Sequence, residues 1–492
     1  VSERERAARR QRLRALREAG VDPYPARVGP REPIARVRER LSERDAAWLE
    51  VHPTSAAVAG RVMARRSFGK LVFLDLVEDG SRLQVSARER EMDPAAFAFA
   101  RELDVGDFVR AAGPLWRTKT GELTLDAREL TLLAKSLRPL PEKWHGLADV
   151  ELRFRRRYLD LLVNEDARRV ALLRSRAVAA LRGGLDARGF LEVETPVLQP
   201  LYGGAAARPF ATHHQVYEQK LYLRISDELY LKRLVVGGLD RVYEIAHNFR
   251  NEGVSRKHNP EFTMMECYQA YADYRDMLEL TESLVREVAE RALGTTRVDH
   301  RGAKLDFGPP WPRTTVRDAI AEATGVDVLA APDLPSLREA VRRQGLEPGD
   351  APTWGTLVDA LLVAHVEPRL VQPTFVCDYP RELSPLAKRS PEDPRLAERF
   401  EAFVAGMELA NAFSELNDPD DQRERLLEQA RASARGDREA HPVDEDYLLA
   451  LEYGLPPTGG LGLGVDRLVM VLADAAHIRE VLLFPHLRPE EG

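Results

Sequence analysis

RVYEIAHNFRNEGVSRKHNPEFTMMECYQAYADY, residues 241–274, decides how the rest of the chain is read. Its two ends alternate. Val242, Glu244 and Ala246 stand against Tyr243 and Ile245, then Phe262, Met264, Glu266 and Tyr268 against Thr263, Met265 and Cys267, and this period of two belongs to strands. The intervening loop, 251–260, carries Glu252, Arg256, Lys257, His258 and Asn259, a mixture suited to an anionic ligand that also presents a base edge. A charged tip alone fits a solvated hairpin. Arg250 and Glu266, however, read as charged strand positions beside large apolar neighbours, which a solvated turn does not require.

Working outward, 492 residues with 44% hydrophobic and 31% charged side chains allow two or three domains and a large core. No run reaches membrane-spanning length, and the charged start VSERERAARRQRLRAL has no apolar segment of a secretory signal. Glu3, Glu5 and Glu18 argue against a transit peptide. Two cysteines, Cys267 and Cys377, neither build a disulfide framework nor have metal-site spacing, and they fit a reducing cytoplasm. The net charge of -7 discourages nucleic acid as a partner of the whole surface. Locally, 1–17 and RFRRR at 153–157 are basic while 415–446 is acid-rich, so a basic face for RNA is open.

Residues 2–19 predict a helix ended by Gly20. From Ala56 to Leu133 the runs AVAGRVMARR, KLVFLDLVEDGSRLQVSA, DFVRAAGPLWR and ELTLDARELTLLA alternate, with turn signals at Asp79-Gly80 and Lys119-Thr120-Gly121. About five short strands predict a small closed barrel. LRPLPEKWHGLAD (137–149) reads as a linker, and Leu173, Ala177, Leu181 and Leu185 mark an amphipathic helix over 170–188 that stops at Gly189. GFLEVETPVLQP (189–200) predicts a strand interrupted at Pro196. A second helix spans 273–293, and 314–370 is mostly helix and turn. Glu408 and Glu415 are seven apart, on opposite sheet faces unless a bulge or turn intervenes. GGLGLGVDRLVMVLAD (459–474) reads as a glycine-rich turn opening a helix, and it fits neither common nucleotide-binding glycine pattern. No Ser-His-Asp or Cys-His arrangement stands out, which suits a reaction whose nucleophile belongs to the substrate.

Phe249-Arg250-Asn251-Glu252 resembles the Phe-Arg-x-Glu signature in motif 2 of class II aminoacyl-tRNA synthetases. NFRNEG followed by HNPEFTMMECYQAYADY is more narrowly similar to the bacterial lysine branch of that family, class IIb. GFLEVETPVLQP resembles motif 1, and GGLGLGVDRLVMVLAD resembles motif 3 with Arg467 as its arginine. The resemblance implies an α+β chain: a helical extension (1–55), a five-stranded OB-fold β-barrel that binds the anticodon (56–137), a linker (138–152) and an antiparallel-sheet catalytic domain flanked by helices (153–492), with a helical insertion at about 314–370. It implies a cytoplasmic homodimer joined through motif 1, with ATP, L-lysine and tRNA(Lys) as substrates, Mg²⁺ as cofactor and no membrane.

Residue by residue, the resemblance makes Arg250 and Arg467 catalytic. ATP falls to Arg250, Glu252, His258, Asn259, Phe262, Glu408 and Arg467, and Mg²⁺ to Glu408 and Glu415. Gly204 and Glu228 take the α-amino group of lysine, Arg250 its carboxylate, and Tyr268 and Glu415 its ε-ammonium; Glu266, Asn411 and Phe413 line the pocket. Phe73 and Gln84 stand where the family reads the anticodon, by stacking and by base-edge hydrogen bonds. Three positions depart from the pattern. Ser86 replaces an aromatic, Ala412 a glycine and His247 an arginine. Acidic groups select a cationic amino acid, which weighs against an aspartate or asparagine enzyme of the same fold. Protein-lysylating relatives lack the barrel, and a non-catalytic RNA-binding relative would be expected to lack Arg250, Glu252, Glu415 or Arg467.

Overall fold

The computed structural model describes residues 3–141, 147–434 and 442–489. Residues 142–146 of the expected linker, part of the acid-rich run and both chain ends lie outside them. The chain divides into two compact units, Val1–Leu147 and Ala148–Gly492.

The first unit contains helices α1 (Glu3–Glu18), α2 (Ile34–Leu41), α3 (Ala46–Val51) and α4 (Pro94–Glu102). Its strands are β1 (Ser55–Phe68), β2 (Leu71–Glu78), β3 (Ser81–Arg88), β4 (Phe108–Arg117), β5 (Leu123–Ala127) and β6 (Glu129–Ala134). Pairing runs β1-β2-β3-β5-β4 and returns from β4 to β1. The stretch read as one last strand is two segments, because the chain breaks at Arg128 while both parts stay paired to β4. Asp79 and Gly80, at φ 46° and 79°, make the two-residue turn between β2 and β3, whose backbone matches the twist of the strands it joins. Alternate side chains of β2 and β3 (Val72, Leu74, Leu76; Leu83, Val85, Ala87) fill the interior.

The second unit opens with α5 (Val150–Arg155), α6 (Arg157–Val163) and α7 (Glu165–Asp186), followed by β7 (Leu191–Glu192), β8 (Leu198–Gln199), β9 (Ala211–His214), β10 (Gln219–Leu223) and α8 (Glu228–Val236). The hairpin β11 (Arg241–Phe249) and β12 (Glu261–Ala270) leads into α9 (Tyr274–Leu293), β13 (Arg297–His300) and β14 (Ala303–Asp306). Then come β15 (Arg313–Thr315), α10 (Val316–Thr324), α11 (Leu334–Arg343), α12 (Trp354–Leu361), β16 (Thr374–Pro380), β17 (Leu396–Val404) and β18 (Met407–Ser414). Last are α13 (Pro419–Ala434), α14 (Glu445–Glu452), β19 (Thr458–Gly464) and α15 (Val465–Ala473). Eight strands form the main sheet in the order β15-β16-β17-β18-β19-β12-β11-β7. Only its two outermost pairings are parallel.

Several expectations change. The glycine-rich run 459–464 is a strand in mid-sheet, paired to β12 and β18, because Gly and Leu alternate with period two: Leu461 and Leu463 enter the core. Residues 189–200 hold two two-residue strands in different sheets, since Pro196 cannot donate to a ladder and the chain bends there. The helix expected from Val170 starts at Glu165, where Glu165 and Asp166 in its first turn face the positive end of the helix dipole. Arg250 lies one residue past β11, and residues 150–152 of the expected linker open α5. Residues 314–315 of the expected insertion belong to edge strand β15.

The sheet has two buried faces. Tyr243, Met265, Cys267, Phe400, Ala410, Leu461 and Leu463 pack against Leu173, Ala177 and Leu181 of α7, Leu284 and Val288 of α9, and Leu468 and Val471 of α15. A capping box at Asp273 and Asp276 begins α9, and Gly294 at φ 80° ends it. The opposite face is polar, and it carries the site.

Candidate active site

Strand register sets the polar face in two rows. One row runs Glu244, Glu266, Gly462, Asn411, Glu401 across five strands, and the next runs Val242, Tyr268, Gly460, Phe413, Arg399. Glu408 joins this face through a bulge. Ala402 pairs Ala410 but Phe403 pairs Glu408, so Leu409 is the extra residue that reverses the alternation and brings Glu408 into phase with Asn411 and Phe413. Over the two rows lies a cavity of about 630 Å³, lined by residues of both ends of the site, among them Gly204, Glu228, Glu252, Asn259, Phe262 and Arg467. The glycines of β19 are its floor: a Cβ on Gly460 would stand 1.9 Å from Glu415 Oε1 and 2.6 Å from the Tyr268 ring. Gly204, at φ 86°, similarly has Ser226 Oγ 2.8 Å from where its Cβ would be.

One end of the cavity is cationic. Arg467, in the first turn of α15, donates from Nη1 to Glu408 Oε2 at 2.9 Å and to the Glu408 carbonyl at 2.7 Å. Burial opposes charge on Glu408, but Arg467, Arg399 and Arg250 outweigh it and hold its carboxyl below the usual range. Arg250 stacks its guanidinium over Phe262, 5.0 Å from the ring centroid. Its Nε is buried without a hydrogen-bond partner. Burial and the neighbouring Arg467 lower its pKa, with Glu252 and Glu408 pulling the other way, so an incoming anion would relieve a cation already short of partners. His258 Nε2 lies 3.4 Å from Arg467 Nη2 and its Nδ1 2.7 Å from Ser255 Oγ. Burial, then Arg467 and Lys257, push its pKa down, so at neutral pH it offers a neutral ring rather than a charge. Asn259 donates to the Glu261 carbonyl at 2.6 Å, and its Oδ1 is buried and unpartnered.

The other end is acidic and more deeply buried. Glu266 accepts from Ser226 Oγ and from the Tyr268 hydroxyl, both at 3.1 Å. Asp227 accepts from Asn248 at 3.2 Å. Burial raises both carboxyls, Asp227 to about 6 and Glu266 well above its usual value, each adding to the pressure of the other acids on the pocket, and Asp227 Oδ2 is buried without a hydrogen-bond partner. Glu228 and Glu415 are bridged by the buried ammonium of Lys232, which lies 2.5 Å from Glu228 Oε1 and in ion contact with Glu415 Oε2. Neither oxygen of Glu415 has a well-angled hydrogen bond.

Thus Gly204, Glu228, Arg250, Glu252, His258, Asn259, Phe262, Glu266, Tyr268, Glu408, Asn411, Phe413 and Arg467 line one cavity. Glu408 and Glu415, paired in the sequence reading as metal ligands, meet different partners. Glu415 faces Lys232, Glu228 and Glu266, whereas Glu408 acts on the carboxyls of Glu401, Glu367 and Asp359, and burial and Glu408 push Glu401 up to about 7. Arg399 pairs with Glu401 at 2.6 Å and donates to Asn411 at 3.1 Å.

Sequence reading missed Lys232, Asp227, Arg399, Glu401 and Asp466. The spacing of Glu228 and Lys232, four apart on a helix, was a usable signal. Asp466 accepts from the Thr263 amide at 2.8 Å and pairs with Arg174, which ties the start of α15 to β12 and α7.

In the first unit, Phe73 is half-buried on β2 and makes an edge contact with exposed Phe68, ring centroids 6.3 Å apart. Its register partner is Ser86. Gln84 lies on the same face and is buried, with Oε1 accepting from Thr124 at 3.0 Å. The aromatic missing at Ser86 thus has a neighbour at Phe68 that the sequence reading had not singled out.

Comparison with known proteins agrees with this geometry. Residues 149–488 match the class II tRNA synthetases (D, K and N), and 56–133 match the OB-fold nucleic acid binding domain. The lysine–tRNA ligase of Chloroflexus aurantiacus is 54% identical over 484 residues, 98% of each chain. Those of Roseiflexus castenholzii and Moorella thermoacetica are 53% and 52% identical, covering 98–99% of each chain. With its cationic cavity end, its acidic pocket and these full-length matches, the chain belongs to the class II tRNA synthetases.

Proposed function

We propose that the chain is a lysine–tRNA ligase, which activates lysine with ATP to lysyl-adenylate and pyrophosphate and then transfers lysine to the 3′-end of tRNA(Lys). The observation that carries this reading is the division of one cavity into a cationic end and a buried acidic end, supported by relatives with that activity matched along their whole length. Lysine has two ammonium groups and one carboxylate. Glu228 and Gly204 accept the α-ammonium, Glu415 and Tyr268 the ε-ammonium, and Arg250 forks the carboxylate and the α-phosphate. The carboxylate attacks that phosphorus in line, and pyrophosphate leaves toward Arg467 and His258. Glu252 and Asn259 take the adenine edge while Phe262 stacks on its face. No protein nucleophile is needed, so the residues work by placement and charge neutralisation. Aspartate or asparagine would set a carboxylate or amide against Glu415, which disfavours both.

Glu408 is a hard oxygen donor lining the cavity, and together with the phosphates of ATP it would hold Mg²⁺. That ion, when bound, neutralises phosphate charge. The first unit reads the anticodon through Phe73 and Gln84. A homodimer through the motif 1 region is supported by Val216 and Tyr217, 84% and 75% exposed, with exposed Leu191, Val197, Leu198 and Leu201 nearby in sequence. Among the described residues no helix is long and apolar enough to cross a membrane, and two free cysteines fit a cytoplasmic setting. Charging of tRNA(Lys) and tRNA(Asp) transcripts with radiolabelled lysine, aspartate and asparagine tests the reading. Lysine on tRNA(Lys) alone is expected, and aspartate on tRNA(Asp) would contradict it.

A further inference from the structure

Lys232 sits between two carboxylates of the amino-acid pocket, and the reaction just described gives it no role. It is fully buried on α8. Its ammonium lies 5.4 Å from the centroid of Phe413 and 6.0 Å from those of Tyr268 and Tyr447. The same ammonium touches Glu228 through Oε1 and Glu415 through Oε2. Each carboxylate thereby keeps one oxygen in reserve, and the reserved Oε1 of Glu415 points at Gly460, part of the cavity wall. On the proposed function, these two carboxylates accept the two ammonium groups of the substrate.

We propose that Lys232 is a resident positioning cation that ties Glu228 and Glu415 into one unit and so fixes the distance between the two ammonium subsites. The electrostatics support it. Burial and the neighbouring carboxylates raise Glu228 and Glu415, and Lys232 pulls both back toward the charged form. Glu244 stands apart from this cluster, because Arg224 pairs with it at 2.7 Å. Burial lowers the Lys232 pKa, but Glu228 and Glu415 outweigh that and hold it as the ammonium. Without it, Glu228 and Glu415 would lose the cation that holds them toward the charged form, and a carboxyl meant for the substrate would take up a proton instead.

The inference rests on the lysine reading, and its test separates the two. In lysine-dependent pyrophosphate exchange, Lys232→Met should raise the lysine KM at least about tenfold and leave the ATP KM unmoved. Lys232→Ala should regain part of its lysine affinity in n-propylammonium, saturably, and none in n-propanol. A lower lysine KM in either variant would mean that Lys232 competes with the substrate, and an unchanged one that it is idle; each overturns the bridge. Should both variants fail to fold, a crystal structure of the unaltered protein with lysine bound decides: Nζ still within hydrogen-bond reach of both carboxylates supports the bridge, and Nζ swung away overturns it. Activation of another amino acid by the unaltered protein would instead overturn the lysine reading.

Discussion

The two ends of the cavity solve opposite electrostatic problems. At the phosphate end, Arg250 has a buried Nε with no partner, and Arg467 holds Glu408, whose side chain is 38% exposed. At the lysine end four carboxyls, Asp227, Glu228, Glu266 and Glu415, are almost wholly buried, and two of them share one internal ammonium. The first end is incomplete without its ligand. The second is partly neutralised beforehand by Lys232, and it keeps buried carboxyls for a cationic ligand. A phosphate chain with its metal can be gathered by flexible cations, whereas choosing one amino acid among twenty needs fixed, desolvated groups.

The sharpest way to break this contrast is norleucine, which keeps the shape of lysine and removes the ε-ammonium. It would leave Glu415 Oε1 and the Tyr268 hydroxyl unpaired. Sites built around a polar group reject the analogue lacking it by about 10⁴ to 10⁵, against roughly 10 to 200 for shape alone. Lysine should therefore exceed norleucine by at least about 10³ in kcat/KM, and acceptance within about tenfold would remove the acidic end from specificity. Next in size, Arg250→Ala and Arg467→Ala should each cut exchange by about 10² to 10³, the usual loss of one preorganised charge partner. Near-normal exchange in either variant would take that residue out of the phosphate end.

Phe73→Ala lies in the other unit and works as a control on both ends. It should cost roughly 1 to 3 kcal/mol in tRNA recognition through lost stacking and leave lysine-dependent exchange intact. Unchanged aminoacylation would remove it from the anticodon platform. The smallest expected effect is on pH. The Asp227 carboxyl titrates at about 6, raised by burial and then by Glu244, with Glu266, Asn248 and Arg224 pulling it down. Below that pH Asp227 is protonated and the pocket loses negative charge. Lysine KM should rise a few-fold as pH falls through about 6, and a lysine KM flat from pH 5 to 8 would contradict the raised Asp227 carboxyl.

The phosphate end was far more legible in the sequence than the lysine end. Arg250, Glu252, His258 and Asn259 fall in one short loop, and Arg467 in one motif, so local order was enough to group them. The acidic end is assembled by the fold: Glu228 on α8, Glu266 on β12 and Glu415 just after β18 meet only through strand pairing and helix packing. The phase of Glu408 depended on the bulge at Leu409, an alternative that spacing left open and backbone geometry decides. The 459–464 stretch looked like a turn because glycine dominates it, yet its Gly-Leu alternation is a strand whose missing side chains make room for the substrate. Lys232 was hidden for a different reason. A lysine on a helix reads as solvated by default, and only the packing of α8 against β12 and α14 buries it.

The central claim is that the acidic end selects lysine before any tRNA is present. Pyrophosphate exchange by the purified protein with ATP and each of the twenty amino acids in turn tests it most directly. The account predicts exchange with lysine and with no other standard amino acid above background, whereas exchange driven by aspartate or asparagine, or by none of the twenty, would contradict it.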